Sequence, residues 1–284
     1  MSPDIADRSK AALPLRRPRF VLMCQADSSL NRVAVARWLC SFADLAGIVL
    51  IDERGSYLWR RLRYEYRRVG LLRLVDVFAF KIFYVLGPGR RDRDALARRI
   101  SGVADAFPPV PATTRILVTS DPNSPETAHF IRDLAPEMML ARCKHILRPS
   151  VFEAPTLGTY VLHPGICPEY RNAHGAFWAL ANDELDKVGL TLLRVDRGVD
   201  TGPVYDYFHC SFDELADTHI VIMTELLLQN LQAIRDKLLA IWSGTAATID
   251  TAGRRSGAWG QPWLTSYLRW KHTARRRRNE GPVA

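Results

Sequence analysis

The amino-acid sequence predicts an α/β protein with a Rossmann-like, mostly parallel sheet, a helical insertion and a helical C-terminal extension. Compact apolar runs suited to buried strands alternate with stretches of helical periodicity, and this alternation favours a parallel sheet covered by helices. The 284 residues can bury a sizeable core, and 48% hydrophobic with 24% charged residues is typical of a globular protein. Because ligands of such sheets bind beyond the carboxyl ends of the strands, we expect functional residues there.

The composition predicts three consecutive parts. Residues 1–18 contain no hydrophobic signal core and are expected to form a disordered leader. Residues 19–242 are expected to form the α/β domain, within which residues 54–89 are a basic helical insertion. Residues 243–284 form the C-terminal extension with a basic tail, and we expect disorder from Arg275 onward.

The first predicted unit is a strand, a helix and a second strand. Phe20–Cys24 is an apolar run suited to a buried strand, a helix is expected from about Asn31 to Leu45, and Gly47–Ile51 is the next strand. The loop before this helix contains Ser28 and no glycine. Its hydroxyl groups could bind an anion at the helix start or simply cap the helix, and capping is the simpler interpretation.

The insertion combines arginines with large apolar residues. Arginine and aromatic residues interleave over 57–68, and apolar residues at helical spacing follow over 71–86. One interpretation is a basic amphipathic surface for a membrane face or a nucleotide-linked substrate. The other is a helical insertion that packs on the core and leaves its arginines in water. We favour the second because Asp76 and Lys81 interrupt the apolar face.

The remaining elements continue the alternation. The predicted helices are 92–104, one starting at Ser124-Pro125-Glu126, one capped by Asn172 that carries Phe177, Trp178 and Leu180, and a long helix over 213–242. The predicted strands are 115–118, 136–141, 159–162 and 188–195. Four aromatic residues of the extension are expected to cover a hydrophobic edge: Trp259, Trp263, Tyr267 and Trp270.

Two polar residues are predicted to meet at the carboxyl edge of the sheet. The run 159–162 delivers His163 to a strand end, and a loop over 196–202 with two glycines follows the strand over 188–195. Because strand, helix and returning strand can bring this loop back beside His163, we expect the Asp200 carboxylate near the imidazole. An imidazole and a carboxylate at neighbouring strand ends can act as a proton-transfer pair.

Around these two residues the sequence contains a pattern of several parts. Its members follow in order as His163-Pro164, Pro168, Tyr170-Arg171, Gly189-Leu190-Thr191 and Val195-Asp196-x-Gly198-x-Asp200-Thr201-Gly202. The pattern resembles the signature of the folate-dependent formyltransferases, the family of glycinamide ribonucleotide, methionyl-tRNA and nucleotide-sugar formyltransferases. The resemblance implies that residues 19–242 are a formyltransferase-like catalytic domain, and hence a transferase of one-carbon metabolism.

The resemblance also implies roles for individual residues. His163 and Asp200 match two of the family's three catalytic residues, while Val161 stands in place of the third, an asparagine. The implied co-substrate is 10-formyltetrahydrofolate, with Arg142 at a position where the family usually has a glycine. Residues implied to bind this co-substrate are Arg142, Lys144, Ile146, Leu147, Arg197, Gly198 and Val199. Residues implied to contact the second substrate are Ser28, Tyr170, Arg171 and Asn172.

The implied reaction is the N-formylation of a primary amine. Formyl transfer passes through a tetrahedral centre with an oxyanion, to which His163 could donate a hydrogen bond while Asp200 accepts the amine proton. In the absence of the asparagine, Asn172 or a backbone N–H could complete the oxyanion site. The arginine excess favours a small anionic acceptor such as a nucleotide-linked amino sugar. The alternatives are a catalytically impaired ligand-binding relative and a formyl-folate hydrolase.

Composition limits the other function classes. A formal net charge of +9 indicates a solvated basic surface and affinity for an anionic substrate rather than a specific nucleic-acid site. Five widely spaced cysteines without a CxxC motif fit reduced cytoplasmic thiols, and the scattered histidines predict no metal site. No apolar run is long enough to predict a membrane-spanning helix, although weak contact with a membrane surface is compatible with the insertion. The segment after residue 242 is shorter than the C-terminal domain of the family's tRNA formyltransferases, so methionyl-tRNA is not the expected substrate.

Overall fold

The computed structural model describes residues 16–53 and 57–280, apart from the side chains of residues 57–69 and Leu72. Most of the predicted leader and the arginine–aromatic side chains of the insertion therefore lie outside the described residues. The strands of this part are β1 (Arg19–Gln25), β2 (Asp44–Ile51), β3 (Arg115–Thr119), β4 (Met138–Arg142), β5 (Gly158–Pro164), β6 (Arg171–Asn172), β7 (Leu190–Arg194), β8 (Val204–Phe208) and β9 (Ala258–Trp259).

Seven of these strands form one sheet in the order β3-β2-β1-β4-β5-β7-β8. The strands from β3 to β5 pair in parallel, whereas β7 pairs antiparallel with both β5 and β8. The predicted fold class, an α/β protein with a mostly parallel sheet, is confirmed. The carboxyl ends of β1, β4 and β5 consequently meet at one edge of the sheet, where ligands of such folds bind.

Helices cover both faces of the sheet. They are α1 (Ala36–Phe42), α2 (Tyr57–Leu86), α3 (Pro88–Asp105), α4 (Pro125–Asp133), α5 (Pro149–Phe152), α6 (Gly175–Ala181), α7 (His219–Leu228), α8 (Leu231–Trp242) and α9 (Leu264–Glu280). On β1, Phe20 and Leu22 join an apolar cluster with α1, α6, α7, α8 and α9, while Val21 and Met23 join a second cluster with α4 and α5. Successive side chains of a strand point to opposite faces, so a strand buried on both faces has a continuous apolar sequence.

The first helical segment is shorter than predicted. A π-helical segment, Leu30–Val35, precedes α1, and α1 ends at Phe42 rather than near Leu45. Residues 44–46 belong to β2 instead, because Asp44 is in register with Arg19 and its N–H donates to the Pro18 carbonyl at 2.9 Å. Pairing with β1 therefore extends β2 at the expense of the helix.

The long helix predicted over 213–242 is wrong, because this region contains a turn and two helices. Thr218 caps α7 by accepting a hydrogen bond from the Val221 N–H. Between α7 and α8, the Asn230 side-chain amide donates to the carbonyls of His209 and Leu226, at 2.8 and 2.9 Å. Apolar spacing alone did not reveal this interruption, since the apolar face continues from one helix to the next.

The predicted disorder from Arg275 onward is also wrong, because α9 continues to Glu280. Trp270 and Ala274 are buried and anchor the helix to the core. Farther along, Arg277 pairs with Glu214 at 2.6 Å and Arg278 pairs with Asp213 at 2.7 Å. The acidic turn before α7 therefore supplies partners that the local sequence of the tail does not show.

The insertion forms a long helix followed by α3. Gly70 interrupts α2 with a positive φ of 77°, a conformation that glycine adopts without steric cost. After this break, the inner face of α2 packs on the core through Val77 and Phe80, and the Phe80 ring lies 5.5 Å from that of Tyr267. We call the opposite face the outer stripe; its exposed residues are Leu71, Val75, Phe78, Ile82, Val85 and Leu86.

Candidate active site at the carboxyl edge of the sheet

Strand β5 places His163 at the carboxyl edge of the sheet. Val161 and His163 lie on the same face of β5, because they are two residues apart in a strand. The imidazole is 7% exposed, and its Nε2 lies 2.7 Å from the Tyr170 carbonyl oxygen. A carbonyl oxygen only accepts hydrogen bonds, so Nε2 carries the proton in this contact.

Two glycines leave room for the Tyr170 carbonyl oxygen that His163 contacts. A Cβ at Gly175 would lie 2.4 Å from the Tyr170 oxygen, and a Cβ at Gly165 would lie 2.6 Å from the same atom. Gly165 also has a φ of 153°, at the edge of the range that favours glycine. Glycine at both positions is therefore required for the loop that holds His163.

Asp200 approaches the same imidazole from the loop after β7. Its Oδ2 lies 3.4 Å from His163 Nδ1 and accepts a hydrogen bond of 2.8 Å from the Asn172 backbone N–H. Within this loop, Thr201 donates to Asp196 rather than to Asp200. Asp196 also accepts from the Gly198 N–H, so Asp196 shapes the loop and leaves Asp200 directed at His163.

The two ring nitrogens of His163 both face oxygen atoms. Nε2 donates to Tyr170, and the remaining nitrogen, Nδ1, faces the Asp200 carboxylate. A doubly protonated ring satisfies both contacts, since it offers an N–H at each nitrogen. In this arrangement one imidazole N–H contacts the Tyr170 carbonyl and the other contacts Asp200. Neither N–H can then donate to a substrate oxygen.

Three residues of the site have backbone conformations that are uncommon for non-glycine residues. Asn172, His174 and Asp200 have φ values of 71°, 57° and 51°. Asparagine, aspartate and histidine tolerate this left-handed region better than other side chains, and such residues concentrate at functional sites. Asn172 was predicted to cap α6, but His174 occupies the cap position without a side-chain hydrogen bond to the helix. The Asn172 amide instead donates to the Trp259 carbonyl at 2.5 Å.

A cavity of about 90 Å³ lies between the loop after β4 and the loop after β7. Asp200 lines it, as do four of the residues predicted to bind the co-substrate, Ile146, Leu147, Gly198 and Val199. Lys144, Arg197 and Arg142 do not line it, and the first two are exposed. Val161 is also part of the wall, and its side chain is apolar.

Arg142 forms contacts beside this cavity. Its Nε donates to Asn31 Oδ1 at 3.1 Å, and its Nη1 donates to the Leu162 carbonyl at 2.5 Å, next to His163 in the chain. Burial lowers the pKa of the Arg142 guanidinium to about 10. The side chain therefore joins the π-helical segment before α1 to β5.

The residues predicted to contact the second substrate are already in contact with other protein groups. Ser28 Oγ accepts from the Asn31 amide at 2.9 Å, consistent with a role at the start of the helical segment. Tyr170 is buried and stacks on Trp259, with ring centroids 5.4 Å apart. Arg171 donates to the Val199 carbonyl and to Ser256 Oγ, each at 2.9 Å. These contacts bring Tyr170, Arg171 and Asn172 together at the site, while Ser28 is joined to it through Asn31 and Arg142.

The C-terminal extension completes the frame of the site, which the sequence did not predict. Strands β6 and β9 pair in parallel, with Asn172 opposite Trp259. Arg254 forms an ion pair of 2.7 Å with Glu169 and donates to the Tyr207 hydroxyl at 2.6 Å. A two-residue pairing between segments this far apart leaves no periodic signal in a sequence.

Two further cavity residues were missed, although they lie between predicted ones. Cys143 and His145 line the cavity, and His145 Nε2 lies 2.7 Å from Glu53. Burial raises the pKa of the Cys143 thiol to about 11, so the thiol is protonated near neutral pH. The sequence signal that could have identified Cys143 and His145 is their position between Arg142 and Ile146, two residues predicted to bind the co-substrate. Across the described residues, histidine, cysteine and acidic side chains form no group of three that could hold a metal ion.

Comparisons with known proteins identify a family and several similar proteins. The model of the family described as formyl transferase matches residues 97–238, half of the chain. A methionyl-tRNA formyltransferase of Thermotoga maritima is 30% identical over 121 residues, which cover 40% of this chain and 38% of that protein. The matched segment is thus well under half of that relative.

Two solved structures of formyltransferases are similar to this chain. Glycinamide ribonucleotide transformylase 1 of Symbiobacterium toebii is 16% identical, with a TM-score of 0.49 and coverage of 88% of this chain and 98% of that one. A sugar N-formyltransferase from a Shewanella species is 11% identical, with a TM-score of 0.46 and coverage of 85% and 76%.

The sheet order and the site at its carboxyl edge define an α/β protein of the doubly wound class. More particularly, the chain belongs to the formyl transferase family.

Proposed function

We propose that this protein transfers a formyl group from 10-formyltetrahydrofolate to the primary amine of a small anionic acceptor, such as a nucleotide-linked amino sugar. The observation that carries the proposal is the pair formed by His163 and Asp200, 3.4 Å apart, with Asp200 in the wall of a cavity at the carboxyl edge of the sheet. Family membership supports the reaction class, and this pair supplies the proton acceptor that the reaction needs.

The cavity suits part of the proposed donor. Its wall combines apolar side chains, including Leu147, Val161 and Leu193, with the backbone of two loops, a chemistry that fits the face and edge of a heteroaromatic ring. Its volume of about 90 Å³ is smaller than the about 150 Å³ of a cavity that holds one benzene. A bicyclic ring therefore requires the loop at 143–147 or the loop at 195–200 to move outward. When bound, the donor supplies the activated formyl group.

Asp200 is the residue placed to take the proton of the attacking amine. Its carboxylate lines the cavity, whereas His163 is buried behind it and holds it through Nδ1. His163 is therefore assigned as a positioning residue for Asp200, a role different from direct donation to the oxyanion. The Asn172 amide is bound to Trp259 and does not provide the missing donor in this arrangement, so a backbone N–H of the cavity loops takes that role.

The anionic acceptor is inferred from exposed arginines near the site. Arg197 is exposed in the loop that contains Asp200, and Arg255 is exposed next to Ser256, which contacts Arg171. Guanidinium groups bind phosphates through paired N–H donors, so these two exposed arginines suit a phosphate-bearing acceptor.

The test is a formyl-transfer assay with 10-formyltetrahydrofolate and a panel of amines that includes nucleotide-linked amino sugars. We expect Asp200→Asn to lower kcat by about 10²-fold or more, since positioned proton transfer contributes about 10² to 10⁴. His163→Ala should lower kcat and also shift its pH profile, because it removes the group that holds Asp200. The control is Asp186→Asn, an exposed carboxylate next to Lys187. Turnover that is unchanged in both site variants refutes the mechanism.

A ligand-binding protein without turnover is the second candidate. It is favoured by Val161 in the cavity wall and by the two protein partners of His163. Calorimetric titration with a folate analogue separates the possibilities. Binding with no transfer to any amine selects the second candidate, and no binding at all excludes both. Val161→Asn adds the family's amide at this wall; a gain in transfer shows that the amide was the missing component.

A further inference from the structure

The outer stripe of α2 is an apolar surface outside the candidate active site. Its six residues are between 43% and 66% exposed. At 3.6 residues per turn they fall within an arc of about 100°, so they form one continuous line along the helix. The opposite face of the same helix is apolar as well and is buried against the core through Val77 and Phe80.

A helix that is apolar on both faces is normally covered on both. Contiguous exposed apolar surface of this kind marks a site of interaction with a protein or a membrane. Phe78 lies near the middle of the stripe, and the Lys81 ammonium is 5.6 Å from the centre of its ring. The stripe therefore combines an aromatic residue, branched aliphatic residues and an adjacent exposed cation.

The sequence around the stripe is strongly basic. From position 54 to position 86 there are eight arginine or lysine residues and two acidic residues, an excess of six positive charges in a chain of net charge +9. One of the two acidic residues, Asp76, lies on the inner side, where it accepts hydrogen bonds from Thr265 of α9. The first turn of α3 adds the exposed Arg90.

We propose that the outer stripe of α2 binds the surface of an anionic phospholipid membrane. Apolar side chains along one helix face enter the boundary between head groups and acyl chains, and nearby basic residues are attracted to anionic head groups. No helix in the described part of the chain is long and apolar enough to span a bilayer. The contact is therefore interfacial, with α2 parallel to the membrane plane and its inner face still on the core.

The charge argues against the two other occupants. Two copies that met through this stripe would bring two strongly basic segments together, which costs electrostatic free energy unless an anion intervenes. An RNA would use the arginines but would leave the six apolar side chains in water. An anionic lipid surface is the partner that uses both features.

The experiment is co-sedimentation of the full chain with vesicles of phosphatidylcholine alone and with vesicles that contain about 30% phosphatidylglycerol. We expect binding to the anionic vesicles that weakens at high ionic strength, and little binding to the neutral ones. Ile82→Asp should reduce the partition coefficient at least about tenfold, because it places a charge on the apolar face. Val75→Asp is the second variant in case the first fails to fold.

Ile116→Asp is the matched control. Ile116 is 59% exposed and Ile82 is 60% exposed, but Ile116 lies on β3 and not on α2. Its substitution should leave vesicle binding unchanged. The proposal is overturned if the wild-type chain binds neither vesicle, if it binds both equally, or if Ile82→Asp binds as tightly as wild type.

Two other results overturn it in favour of a different occupant. A dimer seen by light scattering and abolished by Ile82→Asp, without vesicle binding, assigns the stripe to a second copy. Binding of bulk tRNA that is lost in Ile82→Asp, without vesicle binding, assigns it to RNA. Thermal unfolding of each variant shows whether loss of binding reflects loss of the fold.

Discussion

The carboxyl edge of the sheet and the outer stripe of α2 are two opposite kinds of surface. At the sheet edge, the polar groups of His163, Asp200 and Arg171 have protein partners within hydrogen-bond or ion-pair distance. Along the outer stripe, six large apolar side chains remain exposed. The first surface is organised by internal contacts before any ligand arrives, whereas the second remains exposed in the part of the chain that the structure describes.

Because of this difference, binding should change the free energy of the two surfaces in different ways. A preorganised polar edge holds its groups in place at little cost when a substrate binds, provided that the cavity opens. An exposed apolar stripe gains free energy only when a second surface removes it from water. Substitutions in the packed residues around the first surface should accordingly affect folding, and substitutions on the second surface should affect association.

The largest effect is expected at the aromatic frame of the site, which consists of the stacked rings of Tyr170, Trp259 and Trp178. Trp178 is 3% exposed, its indole N–H donates to the Gly260 carbonyl at 2.8 Å, and its ring stacks on Trp259 at 5.1 Å. Trp178→Ala should lower the free energy of unfolding by about 3–5 kcal/mol, because it leaves a large cavity and an unpaired carbonyl. Chemical denaturation measures this; a loss under about 1 kcal/mol would show that the frame is not a rigid part of the fold.

The second expected effect is on the rate at which the Cys143 thiol in the cavity wall is alkylated. Burial raises the pKa of Cys143 from 9.0 to about 11, so its thiolate fraction at pH 8 should be about 100-fold below that of an unfolded chain. Alkylation of Cys143, resolved by peptide mass spectrometry, should therefore accelerate about tenfold for each pH unit until about pH 11. In denaturant the same rate should level off near pH 9. Equal rates in the folded and denatured chain at pH 8 contradict a thiol whose pKa is raised by burial.

The smallest effect is expected on the outer stripe, and α2 offers a matched pair for it. Phe78→Ala removes a ring that is 43% exposed and should change the free energy of unfolding by no more than about 0.5 kcal/mol. Phe80→Ala removes a ring on the inner face, 5% exposed, and should cost about 3–5 kcal/mol. Similar losses in the two variants, measured by thermal unfolding without lipid, would mean that the stripe is part of the core.

The sequence predicted those features that depend on short-range order. Apolar runs located six of the seven strands of the sheet and missed β8, and the resemblance around His163 and Asp200 predicted two residues that lie 3.4 Å apart. Strand alternation and motif order are local properties, so one chain is enough to recognise them. The fold class followed from the same observations.

The errors fall where contacts are long-range. The basic tail is ordered by partners elsewhere in the chain, as where Arg277 binds Glu214. The β6–β9 pairing and the break between α7 and α8 depend on which segments become neighbours in the fold. Tertiary contacts decide such features, and they override the local preference for a plain tail or a single long helix.

The pairing of Asn172 with Trp259 has a consequence for the order in which the protein is assembled during synthesis. Strand β5 with His163 and the loop with Asp200 emerge from the ribosome well before Trp259, so the nascent chain can form its sheet before the geometry of the candidate site is complete. A chain that stalls before β9 should be compact yet unable to hold the loop around position 172, and protease sensitivity there would report it.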